Sequence, residues 1–176
     1  KIDFTDLFSC ADVTPGFSSP SPMGFIEFPA GPYGSGNTIL NPGEKYYLNS
    51  NIDLTSGEEL EFKGNIVAIA PNIKITVVDN STLKINTGSH LFACGDMWEG
   101  IENTDGIIDG FTDAVSTPKC KIEDAKIPVN SNGGTTKFLY TVFDNNLNGV
   151  KIAHSTTHPV SSDSKIRASD FLCTDG

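Results

Sequence analysis

Basic residues are scarce in this sequence: 12 Lys and Arg stand against 22 Asp and Glu, a formal net charge of −10. Such a balance argues against nucleic acid as a partner, because duplex affinity rests on cations that neutralise phosphates. Long hydrophobic runs are missing too. Nothing approaches the roughly 18 consecutive apolar residues of a membrane span, and residues 1–20 have neither a basic start nor an apolar stretch of the kind a secretory leader carries. The chain is therefore expected to be soluble, with no transmembrane segment and with any leader already removed. Cys10, Cys94, Cys120 and Cys173 form no C-x-x-C pair and have no His at zinc-finger spacing, which speaks against a thiolate metal site. A Gly-rich phosphate loop, a G-x-S-x-G elbow and a catalytic Cys–His signature are also lacking.

What is plentiful is Gly, Asn, Ser, Thr and Asp, with apolar residues in short bursts, over 176 residues. That texture predicts one domain of many short strands joined by turns. From Thr14 to Gly36 the sequence holds five of the ten Pro and five of the seventeen Gly, with Phe17, Met23, Phe25, Ile26, Phe28 and Tyr33 among them. Helix and central strand are excluded over most of it. Residues 1–36 are expected to form an end cap and an extended strap, and residues 37–176 a set of stacked coils.

Strand grammar begins at NPGE (41–44), a type II turn with Pro42 and Gly43 at the demanding positions. YYL (46–48), IDL (52–54) and LEF (60–62) follow as very short strands. Residues 65–87 give the densest β signal, divided by a corner at Pro71. LFACGDMWEGI (91–101) reads as a corner and strand containing Trp98, the single Trp, with Gly95 and Gly100 at tight corners. Its order of apolar, acidic and small residues returns in IEDAKIPV (122–129) and FDNNLNGVKI (143–152). Steps of 26 from Ile101 to Ile127 and 23 from Ile127 to Val150 fall in the range of solenoid repeats. ENTDGIIDGFTDA (102–114) is expected to leave the coil as a loop, NSNGGTTKF (130–138) to make a hairpin-like turn, and Asn145 with Asn146 to satisfy backbone groups at a corner. Ser162 to Leu172 is the best helix candidate and reads equally as strand. After Cys173 the pattern stops without a cap, so a continuing chain or another molecule is expected to cover that end.

GDMWEGI, KIEDAKIPV and FDNNLNGVKI together resemble the right-handed parallel β-helix region of large secreted cell-surface proteins of Bacteroidetes-type bacteria, the cargo of type IX secretion. The likeness spans residues 45–152, and ELEFKGNIVAIAPNIKITVVDNSTLKINTGSHLFAC is similar to the coils that lead into the motif. It implies an all-β parallel solenoid at the cell surface, adhesive or associated with polysaccharide, acting within a surface or outer-membrane assembly. A β-sandwich carbohydrate-binding module is the alternative fold.

Several constellations could carry chemistry. Asp105, Asp109 and Asp113 recur every four residues between Gly106 and Gly110, hard oxygen donors suited to calcium, with solvated turn carboxylates as the plainer reading. Stacked coils could bring together two of Asp96, Glu99, Glu123, Asp124 and Asp144 for glycoside hydrolysis or lyase chemistry. Cys94 and Cys120 lie one coil apart and could bridge, although four buried free thiols serve as well. His154 and His158 have helical metal spacing, but Pro159 and the neighbouring Ser and Thr make them loop residues. A non-catalytic protein for display, adhesion or glycan binding, with no cofactor and calcium as the one candidate ion, is the leading expectation, and a carbohydrate-active enzyme the second.

Overall fold

The computed structural model describes residues 24–34, 40–116, 118–153, 161 and 163–173. His154, His158, Ser162, Cys10 and the first 23 residues of the cap lie outside the described residues. Short strands follow one another in coils of three. β1 (Ile26–Glu27) precedes the first coil, which comprises β2 (Lys45–Leu48), β3 (Ile52–Leu54) and β4 (Glu59–Lys63). The second holds β5 (Ile66–Ile69), β6 (Lys74–Val78) and β7 (Thr82–Asn86), and the third β8 (His90–Ala93), β9 (Trp98–Thr104) and β10 (Ile107–Phe111). The fourth holds β11 (Cys120–Glu123), β12 (Ala125–Ser131) and β13 (Thr135–Leu139), and the fifth β14 (Thr141–Asp144), β15 (Lys151–Ile152) and β16 (Lys165–Arg167), before β17 (Asp170–Leu172).

Each strand pairs in parallel with its equivalents one coil away. Sheet A runs β1-β2-β5-β8-β11-β14-β17, sheet B β3-β6-β9-β12-β15 and sheet C β4-β7-β10-β13-β16. The protein is a three-sided parallel β-helix. A sandwich would require antiparallel ladders, and every strand pair here is parallel.

The alternating apolar residues explain the inside. On sheet A the inward column is Tyr46, Val67, Leu91, Ile122 and Phe143; on sheet B it is Ile52, Ile75, Ile101 and Val129; on sheet C it is Phe62, Ile85, Gly110 and Phe138. Their side chains are buried, each such apolar group contributing about 1.5–3 kcal/mol. At the N-terminal end Phe28 meets Tyr33, Tyr46 and Phe62 with ring centroids 5.6–6.3 Å apart, so the strap plugs the core with aromatic edges and faces.

The corners are built from residues that accept left-handed backbone. Asn72, Gly95, Asp124 and Asn145 turn sheet A into sheet B; Gly57, Asn80, Asp105 and Gly134 turn sheet B into sheet C; Gly64, Gly88, Tyr140 and Ala168 turn sheet C back to sheet A. All have φ between 47° and 103°. Asn, Asp and Gly dominate because a short side chain or none tolerates this region. Tyr140 and Ala168 obey the path of the coil rather than preference.

Several expectations need correction. The repeat is broader than 23–26 residues: steps between paired strands run from 20 (Ile26 to Tyr46) to 31 (His90 to Lys121), because corners carry insertions of different length. Ile101 faces Val129, and Ile127 faces Gly100, the register shifting between Ile127 and Val129 around Pro128. Gly100 therefore lies within β9, not at a corner. A Cβ there would sit 1.7 Å from the Ile127 carbonyl oxygen, so only glycine admits the bulge. Residues 102–114 do not form a loop leaving the coil: they complete β9, turn at Asp105 and Gly106, and make β10. The Asn-Gly-Gly stretch makes a corner between sheets B and C instead of a hairpin, and of the two readings for the stretch ending at Leu172 the strand one holds, as β16 and β17 on either side of the Ala168 corner.

Candidate functional site

Stacking does bring carboxylates together. Glu123 and Asp144 are register partners on the outward side of sheet A, Asp144 itself buried, and Asp124 occupies the next corner. One ammonium serves both register partners: Lys121 Nζ lies 2.7 Å from Glu123 and 2.9 Å from Asp144. From the adjacent coil His90 Nε2 lies 2.6 Å from the other Glu123 oxygen. Burial alone would push the Glu123 carboxyl up, but hydrogen bonds from His90 and Lys121 outweigh it and hold the group below the usual carboxylate range. Asp124 goes the other way. Burial raises it above its ordinary value and the charges of Glu123 and Asp144 add to this, against the Asn145 amide that donates to it at 2.6 Å. Burial would lower the Lys121 ammonium, and its bonds to Glu123 and Asp144 raise it instead.

Asp96 is exposed in the corner after β8, and Glu99 lies on sheet B paired with Lys126 at 2.6 Å. Three of the five acids named from sequence thus converge and two do not. The partner groups His90 and Lys121 were missed, since a lysine two residues before an acid and a histidine 33 residues away carry no signal until the register is known.

Asp105, Asp109 and Asp113 do not form one site. Asp105 is a corner residue, Asp109 projects from the middle of β10, and Asp113 lies beyond its end, accepting bonds from Val115, Ser116 and the Ser116 hydroxyl. An extended strand advances about 3.3 Å per residue, which puts successive members some 13 Å apart, far beyond a shared ion. Among the described residues no group of three His, Cys, Asp or Glu is placed to hold a metal.

The Cys94–Cys120 bridge does not form: Cys120 is a buried free thiol, pushed up to about 12 by burial. Cys120 faces Thr141 in the ladder, pointing into the coil. Cys94 instead packs outside sheet A with Phe25 and Ala68. Of the two corner asparagines, Asn146 does satisfy backbone groups, accepting from Ala125 N–H at 2.8 Å and donating to the Ile122 carbonyl at 3.1 Å, while the Asn145 amide goes to the Asp124 carboxylate. A larger polar hub was not foreseen. Asn103, fully buried, accepts from Gly106 N–H at 2.9 Å and has its amide nitrogen 3.2–3.4 Å from five oxygens, among them Ser131 and Thr136.

A cavity of about 320 Å³ lies elsewhere, between the strap and the first coil, where Phe28, Tyr33, Ser50, Asn51, Asp53 and Glu58 contribute to its lining. Glu58 fastens it: the carboxylate accepts from Tyr33 N–H at 2.7 Å and from Thr55 N–H at 2.5 Å. With carboxylates, aromatic walls and no Lys or Arg in the lining, it suits neutral or cationic groups. No helix among the described residues is long and apolar enough to cross a membrane. No family model matches the chain, and neither a curated protein nor a solved structure shows significant similarity to it.

Proposed function

We propose that this chain is a non-catalytic β-helix for display or adhesion at a bacterial cell surface, binding glycan or a partner in a surface assembly through its flat outer faces. The observation that carries the reading is the state of the converged carboxylates. Lys121 bridges Glu123 and Asp144, and His90 takes the remaining Glu123 oxygen, so two of the three converged carboxylates are spent on holding adjacent coils together. The cavity, where a substrate would be enclosed, is lined by a different set of residues.

A carbohydrate-active enzyme is the second reading, favoured by the opposed shifts of Glu123 and Asp124, since acid and base roles follow such a split. Incubating the protein with a panel of soluble and insoluble polysaccharides separates the two. Retention on a glycan without new reducing ends or unsaturated uronates is expected. Release of such ends, abolished by Asp124→Asn, would overturn the non-catalytic reading.

A further inference from the structure

Sheet C presents an outward ladder of charge. Glu61, Lys84, Asp109, Lys137 and Lys165 occupy the same position on successive rungs. Signs alternate over the first four and then repeat, placing Lys137 beside Lys165. Like charges directly opposite one another in a sheet destabilise it, so a residue of the wrong sign on the last rung calls for a reason. Arg167 projects two residues further along β16, in the column Phe111, Leu139, Arg167, so that it lies opposite Leu139 and two rungs beyond Phe111. Among the described residues, Lys137, Lys165 and Arg167 have no ion-pair partner, a state they share with the scattered Lys63 and Lys151, whereas Lys74, Lys84, Lys119, Lys121 and Lys126 each have one. Phe111 and Ile107 are 45% and 42% exposed on this same face, and Leu139 continues the apolar strip between Phe111 and Arg167.

We propose that the outer face of sheet C over the last three coils binds an acidic polysaccharide, its carboxylates on Lys137, Lys165 and Arg167 and a sugar ring face on Phe111. The rungs are about 4.8 Å apart, so the two ammonium groups form a row along which an extended polyanion can lie. Arg167 adds a planar fork matched to a carboxylate. Duplex nucleic acid is the poorer fit because the chain as a whole carries −10 and repels a densely charged rod, while a glycan's sparser charge can meet a local patch. The proposal rests on the glycan-binding reading and names its ligand class and face.

The test is retention of the intact chain on immobilised alginate across a salt series, with a neutral β-glucan and poly-glutamate as comparison matrices. Alginate is expected to hold the protein at low salt and release it as salt rises. Replacing Lys137, Lys165 and Arg167 together by Gln is expected to weaken binding about tenfold or more, taking roughly 0.5 kcal/mol for each exposed contact, while Lys74→Gln with Lys126→Gln on sheet B changes little. Lys165→Glu restores the alternation of signs, so its fold should be at least as stable while alginate retention falls, which excludes unfolding as the cause. Phe111→Ala should weaken alginate binding without altering its salt dependence. Failure of the native chain to bind alginate, or loss of binding by the sheet B variant equal to that by the sheet C variant, overturns the assignment. Equal retention on poly-glutamate overturns the choice of a glycan. Retention on β-glucan but not on alginate overturns the acidic class and leaves glycan binding standing.

Discussion

Gly110→Ala puts a methyl group into the ring of Phe138: an ideal Cβ at position 110 lies 2.1 Å from ring carbon Cδ1 and 2.4 Å from Cε1. The two residues are register partners in sheet C, and the ring fills the space that the glycine leaves between Ile85 and the next coil. Position 110 does not need a left-handed backbone, so the cost of alanine is one of packing alone. Overpacking of this kind costs about 1–3 kcal/mol, offset by about 0.4–1 kcal/mol from the restricted unfolded chain, for a net loss of about 1–2 kcal/mol. Phe138→Leu costs a similar amount, partly through the edge contact with Phe143 at 5.1 Å. Combined, the two should lose less than their sum by about 1–2 kcal/mol, because the smaller side chain vacates the slot that the methyl needs. Urea unfolding followed by the fluorescence of Trp98, buried in the core, measures all four corners of the cycle. Additivity within about 0.5 kcal/mol would refute the ring-in-slot packing. Gly100→Ala is the contrast: it strikes the Ile127 backbone carbonyl at φ +107°, so no side-chain change elsewhere should rescue it.

Asn103→Leu should destabilise by about 1–3 kcal/mol, as it strands the Gly106 N–H in the core, while the Ser131 and Thr136 hydroxyls keep the Gly133 carbonyl and each other; a thermal midpoint within a degree or two of the parent would sink the idea. Glu123 has its folded value depressed, so its contribution is complete above the ordinary carboxylate range and disappears as pH falls through the folded value; Glu123→Gln should lose about 1–2 kcal/mol at pH 7 and little near pH 2, measured as the pH dependence of urea midpoints. Cys120 should resist a thiol reagent at pH 8 in the folded protein while the exposed Cys173 reacts, and both should label in denaturant when peptides are mapped by mass.

The architecture was legible because its main signals are local. Ile73, Ile75 and Val77 alternate with polar neighbours, and Asn, Asp and Gly mark the places where the chain must turn; both survive as β6 and as left-handed corners. Periodicity alone cannot fix register. The apparent match of Ile101 with Ile127 missed by two residues because Pro128 and Gly100 create a bulge that the spacing does not reveal. A turn-rich acidic stretch looks alike whether it leaves the coil or rounds its corner, which is why residues 102–114 were expected to be a loop. The carboxylate cluster was half visible: acids recur in the motif, but their partners His90 and Lys121 come from other positions on neighbouring rungs. The Asp triplet failed for the opposite reason, since a spacing of four gathers side chains on a helix and spreads them along a strand.

A β-helix divides its residues into three jobs, and this chain keeps them apart. Inward positions supply apolar columns and the Asn103 hub, corner positions supply left-handed backbone, and outward positions are left to set the chemistry of each face. On sheets A and B, Lys121 pairs with Glu123 and Asp144, Lys74 with Glu102 and Lys126 with Glu99, while Lys151 on the last rung of sheet B has no ion pair. Those pairs tie coil to coil and leave little charge to offer. Sheet C follows the same rule over its first rungs, where Lys84 meets Glu59, and breaks it at Lys137 and Lys165. An acid at position 165 would have continued the alternation and removed a repulsion at no cost to the core, because its outward position is free of packing demands. That the lysine stands there, two residues from Arg167 on the face that also exposes Phe111, marks the face on which we propose that charge is spent on something other than the fold.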